Sequence, residues 1–219
     1  MVAAPVLLLQ QASAYAPDTN VTIMFTLLPV VVVLVWGAAQ NGQSGMAALL
    51  PALVGASGVL LILPFEQPES LRGWLAMGEA LVAMLLTGLG GVWLHHCLRG
   101  EHILRALAVA GSANATVLLI WSLVRGERLW LGWDLRNIAV ALVGAIAFAV
   151  MLWLAKAIDP VRFSTRYLLI PLVTIVEGMI LLRPPLTGRL IGGVSLLLMG
   201  TIWLQSRDER VDEKVLSLK

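Results

Sequence analysis

Charge is scarce in this 219-residue chain. Asp, Glu, Lys and Arg together make up only 13% of it, about half the ~25% usual in soluble domains, while 59% of the residues are hydrophobic. A soluble domain of this length has no interior large enough to hide that much apolar surface, so that class is excluded. The net charge of +2 is too small to hold a nucleic acid through its phosphates. Cysteine is nearly absent, and the lone Cys97 allows no internal disulfide. Also missing is the alternation in segments of about 10 residues that marks a transmembrane barrel; the apolar runs are longer and continuous. What remains is an all-α polytopic membrane protein, because a helix satisfies its own backbone in lipid. Its first partner is the bilayer.

Catalytic patterns are lacking too. No Ser/His/Asp spacing and no His-rich di-metal pattern occurs, so an enzyme is not expected, nor any cofactor. His95-His96-Cys97 invites a metal reading, but neighbours on a helix point ~100° apart and helical metal pairs use i,i+4 spacing. The triplet reads instead as a helix end at the interface, and no metal is expected.

The spacing of apolar runs predicts seven clear helices and one partial one. Residues 1–16 are apolar but have no basic start, so they read as part of a membrane helix ending at Pro17-Asp18 rather than as a signal peptide. Gln10 and Gln11 give it an inward face. Further helices are predicted at about 20–39, 46–64, 73–98, 103–124 and 137–157, with a final pair within 166–204. A polar, glycine-rich break at Gln40–Gly45 reads as a tight loop. Asp159-Pro160 opens a short loop carrying Arg162 and Arg166. Trp130 and Trp133 fit an interfacial belt. The last residues, 205–219, read as a solvated tail of mixed charge.

The stretch from Arg166 to Trp203 is the most informative. Two apolar runs, each about the ~20 residues that span a bilayer core, flank the break Arg183–Arg189. The first run holds Pro171 and Glu177. The second holds Gly192, Gly193, Ser195 and Gly200, small residues that let helix backbones meet closely. A weaker copy begins at Phe25, where Phe25-Thr26-Leu27-Leu28-Pro29 parallels Tyr167-Leu168-Leu169-Ile170-Pro171. An offset of 142 aligns Pro29 with Pro171 and also Gly58 with Gly200. The Pro171 helix is the fifth after the Pro29 helix, and an odd number of crossings inverts the second copy, as in many secondary transporters. Residues 1–64 then form the remainder of a first repeat, and 73–204 a second repeat of five helices. Lys and Arg, counted over the loops and tail, place the C-terminus in the cytoplasm, with the tail deciding the balance.

Glu177 and Glu79 are the sharpest site candidates. A carboxylate in hydrocarbon is costly, so it faces a cavity, pairs with a cation or takes up a proton, unless it lies near the interface. Ser112, Asn114 and Thr116 line a polar path or hydrogen-bond between helices, and Gln11 invites the same pair of readings. Pro29 and Pro171 bend or open their helices. Gly58, Gly192, Gly193 and Gly200 are expected at helix contacts.

The run PLVTIVEGMILLRPPLTGRLIGGVSLLLMG resembles the last two helices of the drug/metabolite transporter superfamily, in its EamA-like permease branch. LLPVVVVLV…LVGASGVLLIL resembles the pair that ends the first repeat. RGWLAMGEALVAMLLTGLGGVWLHHCL is similar to the helix that opens the second. The resemblance implies a ten-helix fold in two inverted repeats, with this chain starting inside the third helix, and a turn that commonly reads Gly-Glu holding Arg183-Pro184 instead. A mis-called start, a gene fragment or a shortened functional form would all have this appearance. The implied function is transport of a small metabolite or amino-acid-like compound across the bacterial cytoplasmic membrane, directed outward, by alternating access. The alternative is a non-transporting membrane subunit, working as a homo-oligomer or with a partner chain.

Overall fold

The computed structural model describes residues 3–39, 46–126, 134–182 and 187–206. The Gln40–Gly45 break, Trp130 and Trp133, residues 183–186 of the last turn and the tail beyond Ser206 lie outside the described residues. Ten α-helices run α1 Ala3–Ala12, α2 Asp18–Thr26, α3 Leu28–Ala39, α4 Leu49–Ile62, α5 Leu71–Leu98, α6 Ile103–Val124, α7 Leu135–Ala157, α8 Pro160–Ser164, α9 Arg166–Leu182 and α10 Gly188–Ser206. Strands are absent among the described residues. The architecture is the expected all-α polytopic bundle.

Six segments are long and apolar enough to cross a membrane: Asp18–Ala39, Leu71–Leu98, Ile103–Val124, Leu135–Ala157, Pro160–Leu181 and Gly188–Ser206. Two differ from the sequence reading. The helix expected over 46–64 is shorter: a 3-10 turn at Met46–Ala48 leads into α4, whose 14 residues span about 21 Å. Its end is dictated by Pro64, which forces Leu63 into extended backbone at φ −89°, ψ 126°. The loop expected around Arg162 and Arg166 is helical instead. Asp159 accepts a hydrogen bond from the Val161 amide at 3.3 Å and Pro160 occupies the first helical turn, where its missing N–H leaves no gap.

Two spans carry a one-residue irregularity at which the backbone stays helical but the ladder tightens, at Leu27 (φ −80°, ψ −7°) and at Thr165 (φ −60°, ψ −21°). The Leu27 amide reaches only to the Met24 carbonyl (3.0 Å), and the chain continues as α3 with Pro29 in its first turn. The Thr165 amide bonds the Arg162 carbonyl at 3.1 Å. At each irregularity a buried threonine hydroxyl donates to a carbonyl of the preceding turn, both at 2.6 Å: Thr26 to Ile23, whose i+4 amide has turned to Met24, and Thr165 to Arg162, which also accepts from the Thr165 amide. That answers the demand that no backbone group stay unpaired in lipid. Pro171 lies inside the continuous α9 and deprives the Tyr167 carbonyl of its i+4 amide donor.

The tightest contact joins α4 to α10. A Cβ built on Gly58 would stand 2.6 Å from both the Gly193 oxygen and the Leu197 nitrogen. A Cβ built on Gly200 would stand 2.7 Å from the Pro51 oxygen and 2.5 Å from the Gly55 Cα. Real side chains do not approach backbone that closely, so only glycine fits. The two sets of neighbours are the same set exchanged: Pro51 and Gly193 differ by 142, as do Gly55 and Leu197, and Gly58 and Gly200. The helices therefore cross antiparallel about a local two-fold axis. Gly192 lies beside this seam, since its Cβ would meet only Leu61 at 3.6 Å. Gly55, which sequence reasoning missed, lies within it. Arg189, at the start of α10, donates through Nε to the Leu61 carbonyl in the last turn of α4, where a cation is favoured.

Polar clasps fix the remaining connections. Fully buried Asn20 on α2 donates to the Glu66 carbonyl at 2.5 Å and accepts from the Glu66 amide at 3.0 Å, tying the α4–α5 loop to α2. Ser70 caps α5 through the Gly73 amide at 3.1 Å. His95, buried on α5, bonds the Ala155 carbonyl of α7 at 2.8 Å through Nδ1 and meets the Trp36 ring edge-on. His95 is thus a tie between helices, and its neighbour Cys97 is exposed.

Candidate functional site

A cavity of about 480 Å³ opens between α1, α2, α5, α7, α8 and α9, within the ~300–1,000 Å³ of small-molecule sites. Its walls come from Pro5, Val6 and Leu9 of α1, from Val21, Thr22 and Phe25 of α2, and from Leu86, Thr87, Gly90, Gly91 and Leu94 of α5. Met151, Phe163, Ile170 and Pro171 complete them, with Arg166 and Tyr167 at the start of α9. Residues close to both irregularities, Phe25 and Arg166, line it. Gly90 and Gly91 shape it: a Cβ at either position would meet nothing within 4 Å.

The polar groups are few and placed at one side. Thr22 and Thr87 spend their hydroxyls on their own helices, donating to the Asp18 and Ala83 carbonyls at 2.8 and 2.7 Å. Arg166 differs. Its guanidinium carbon lies 3.8 Å from the Phe163 ring centroid and 4.8 Å from that of Tyr167, close enough for cation–π attraction. Its Nη2 donates to the Tyr167 hydroxyl at 2.9 Å. Among the described residues no carboxylate lines the cavity and none pairs with Arg166. A positive charge in a largely apolar pocket is felt strongly because little water screens it.

Of the residues singled out from sequence, Pro171 alone lines this cavity. Glu79 is half-buried on α5, seven and eleven residues before Leu86 and Gly90, so it shares the helical face that lines the cavity about two turns away. Glu177 is exposed on α9. Gln11 is half-buried on α1. Asn114 accepts a hydrogen bond from the Ala3 amide at 3.1 Å, joining α6 to the start of α1. Ser112 and Thr116 are exposed and bond carbonyls of their own helix. Pro29 is buried just after the Leu27 irregularity, and Gly58, Gly193 and Gly200 meet at the α4–α10 seam. Arg166 was legible only as a loop cation, because nothing in its spacing announced the aromatic pair that holds it.

Comparison with known proteins agrees with this architecture. No curated protein matches the chain. Among solved structures, one described as "Crystal structure of protein" matches over 91% of this chain and 72% of its own, with a TM-score of 0.68 and 18% identity, a likeness of fold alone. The sequence model of the EamA-like transporter family matches residues 74–205, well over half the chain. The apolar bundle and this match lead to one conclusion: the chain belongs to the EamA-like transporter family and is a membrane permease of the drug/metabolite transporter type.

Proposed function

We propose that this chain moves small amphipathic metabolites, amino-acid-like compounds among them, through the Arg166 cavity by alternating access. The observation that carries the reading is the cavity's position. It lies between elements of both halves of the chain and beside two spans whose helical ladders are locally irregular, and secondary transporters place their sites at the repeat interface near irregular helices. Residues 1–64 and 73–204 act as the two inverted halves, and the exchanged contacts of Gly58 and Gly200 across the α4–α10 axis support that division. Glu79, on the cavity-bearing face of α5, is the first choice for a proton carrier and Glu177 the second. The bacterial cytoplasmic membrane, with the C-terminus inside, is the proposed setting.

Flux in proteoliposomes tests the reading. Purified chain is reconstituted with a pH gradient and a panel of amphipathic solutes, and compared with Gly91→Phe, which fills the cavity from α5. Gradient-dependent flux lost in Gly91→Phe is the expected result. Flux that persists unchanged in a folded Gly91→Phe protein would remove the cavity from the pathway.

One observation favours a second reading, a subunit that works with a second copy or a partner chain. The α6 helix buries none of its residues and exposes Ser112 and Thr116, hydroxyls suited to helix contacts in lipid. Cross-linking from Ser112→Cys in membranes distinguishes it, since a solitary chain gives no dimer.

A further inference from the structure

We propose that the cavity recognises an anionic group carried on an apolar body, and that Arg166 is the residue that fixes the anion. This rests on reading the cavity as the transport site and names the class of compound it takes. The guanidinium has five N–H donors, and the structure gives one hydrogen bond, that to the Tyr167 hydroxyl. Phe163 and Tyr167 lie against the guanidinium and, with the bond to the Tyr167 hydroxyl, keep it beside the cavity. Tyr167, accepting from Arg166, keeps its own phenolic hydrogen for a second bond to the same ligand. A half-buried cation with no counter-ion is unfavourable, and a carboxylate or phosphate offers the two oxygens that match a guanidinium fork.

The rest of the cavity defines the remainder of the ligand. Away from Arg166 the walls are Leu9, Val21, Leu86 and Ile170, which favour an apolar body. Among the described residues no acidic side chain lines the cavity, so none of them would pair there with a second, cationic group on the ligand. A soluble carboxylate with an apolar tail and the headgroup of an anionic lipid share this chemistry.

The test is binding to the full chain in phosphatidylcholine nanodiscs, using 3-phenylpropionate and its uncharged isostere 3-phenylpropionamide. The wild type is expected to hold the carboxylate about tenfold tighter than the amide. Arg166→Gln is expected to bring the two within about twofold, and Arg166→Lys, which keeps the charge without the fork, to fall between. Melting followed by tryptophan fluorescence confirms that each variant is folded. Equal binding of the two probes to the wild type overturns the proposal, as does an undiminished carboxylate preference in folded Arg166→Gln. Should Arg166→Gln fail to fold, an undiminished preference in Arg166→Lys overturns it instead. Repeating the titration in phosphatidylglycerol nanodiscs assigns the source. A loss of carboxylate affinity confined to proteins that retain Arg166 identifies a lipid headgroup, and unchanged affinity identifies a soluble solute. Charge-selective binding without flux would leave this site standing and sink the transport reading. Flux with charge-blind binding would do the reverse.

Discussion

Placing a methyl group at Gly58 or Gly200 forces α4 and α10 apart, and the geometry fixes how the two changes combine. Ordinary contact begins near 3.4 Å, whereas a Cβ would stand 2.6 Å from backbone at Gly58 and closer still, against the Gly55 nitrogen, at Gly200. Either substitution therefore opens the seam by roughly 1 Å, and a gap of that size forfeits a quarter to a half of each dispersion contact along it. Overpacking of this kind costs about 1–3 kcal/mol, and the gain of about 1 kcal/mol from replacing a helical glycine by alanine offsets part of it. Each single variant should thus lose up to about 2 kcal/mol. The double variant Gly58→Ala/Gly200→Ala should lose little more than the worse single one, because one separation of the helices relieves both clashes. The control is Gly192→Ala, where the nearest neighbour is a side-chain methyl of Leu61 at 3.6 Å and the expected change is within about 0.5 kcal/mol. Denaturant titration in mixed micelles, followed by tryptophan fluorescence, supplies the numbers. Strict additivity of the two singles, or a single loss no larger than that of Gly192→Ala, would refute the exchanged-contact reading.

Other perturbations follow from the same geometry. Gly90→Ala, where a Cβ meets open space, should leave thermal stability unchanged or raise it slightly, read as a melting temperature in detergent. Asn20→Leu should cost about 1–3 kcal/mol, because it strips the Glu66 amide and carbonyl of their side-chain partners while keeping the volume; the same micelle titration reads it. Glu79→Gln should abolish pH-gradient-driven flux while leaving equilibrium exchange of solute, and Glu177→Gln should reduce it less. Equal, full activity in both glutamine variants would remove the acids from the coupling scheme.

Much of the fold was legible because a membrane helix is announced by the length of its apolar run. The reading of about 103–124 coincides with Ile103–Val124, and the offset between Gly58 and Gly200 reappears as paired contacts. Two boundaries shifted for local reasons. Pro64 ends α4 early, and the Asp159-Pro160 pair starts a helical turn that sequence reading treated as loop, although aspartate followed by proline is itself a helix-start signal. The cavity was less legible. In lipid, both the outer and the inner faces of a helix are apolar, so spacing alone does not say which face lines a space. Arg166 entered only the count of cytoplasmic cations, and its role depends on Phe163 lying one helical turn back, across an irregularity that composition does not mark. Gly55 was missed for a related reason: its crowding comes from the Leu168 side chain of α9, far away in sequence.

The antiparallel seam has an electrical consequence. The start of α4 lies beside the end of α10, and the end of α4 beside the start of α10. Opposite partial charges at the helix ends therefore face each other in a medium that screens little. The axial dipoles largely cancel, so a membrane potential exerts almost no net force on the pair. Any voltage dependence then originates in formal charges, Arg166 and Glu79 first among them, and not in the backbone dipoles of the α4–α10 pair.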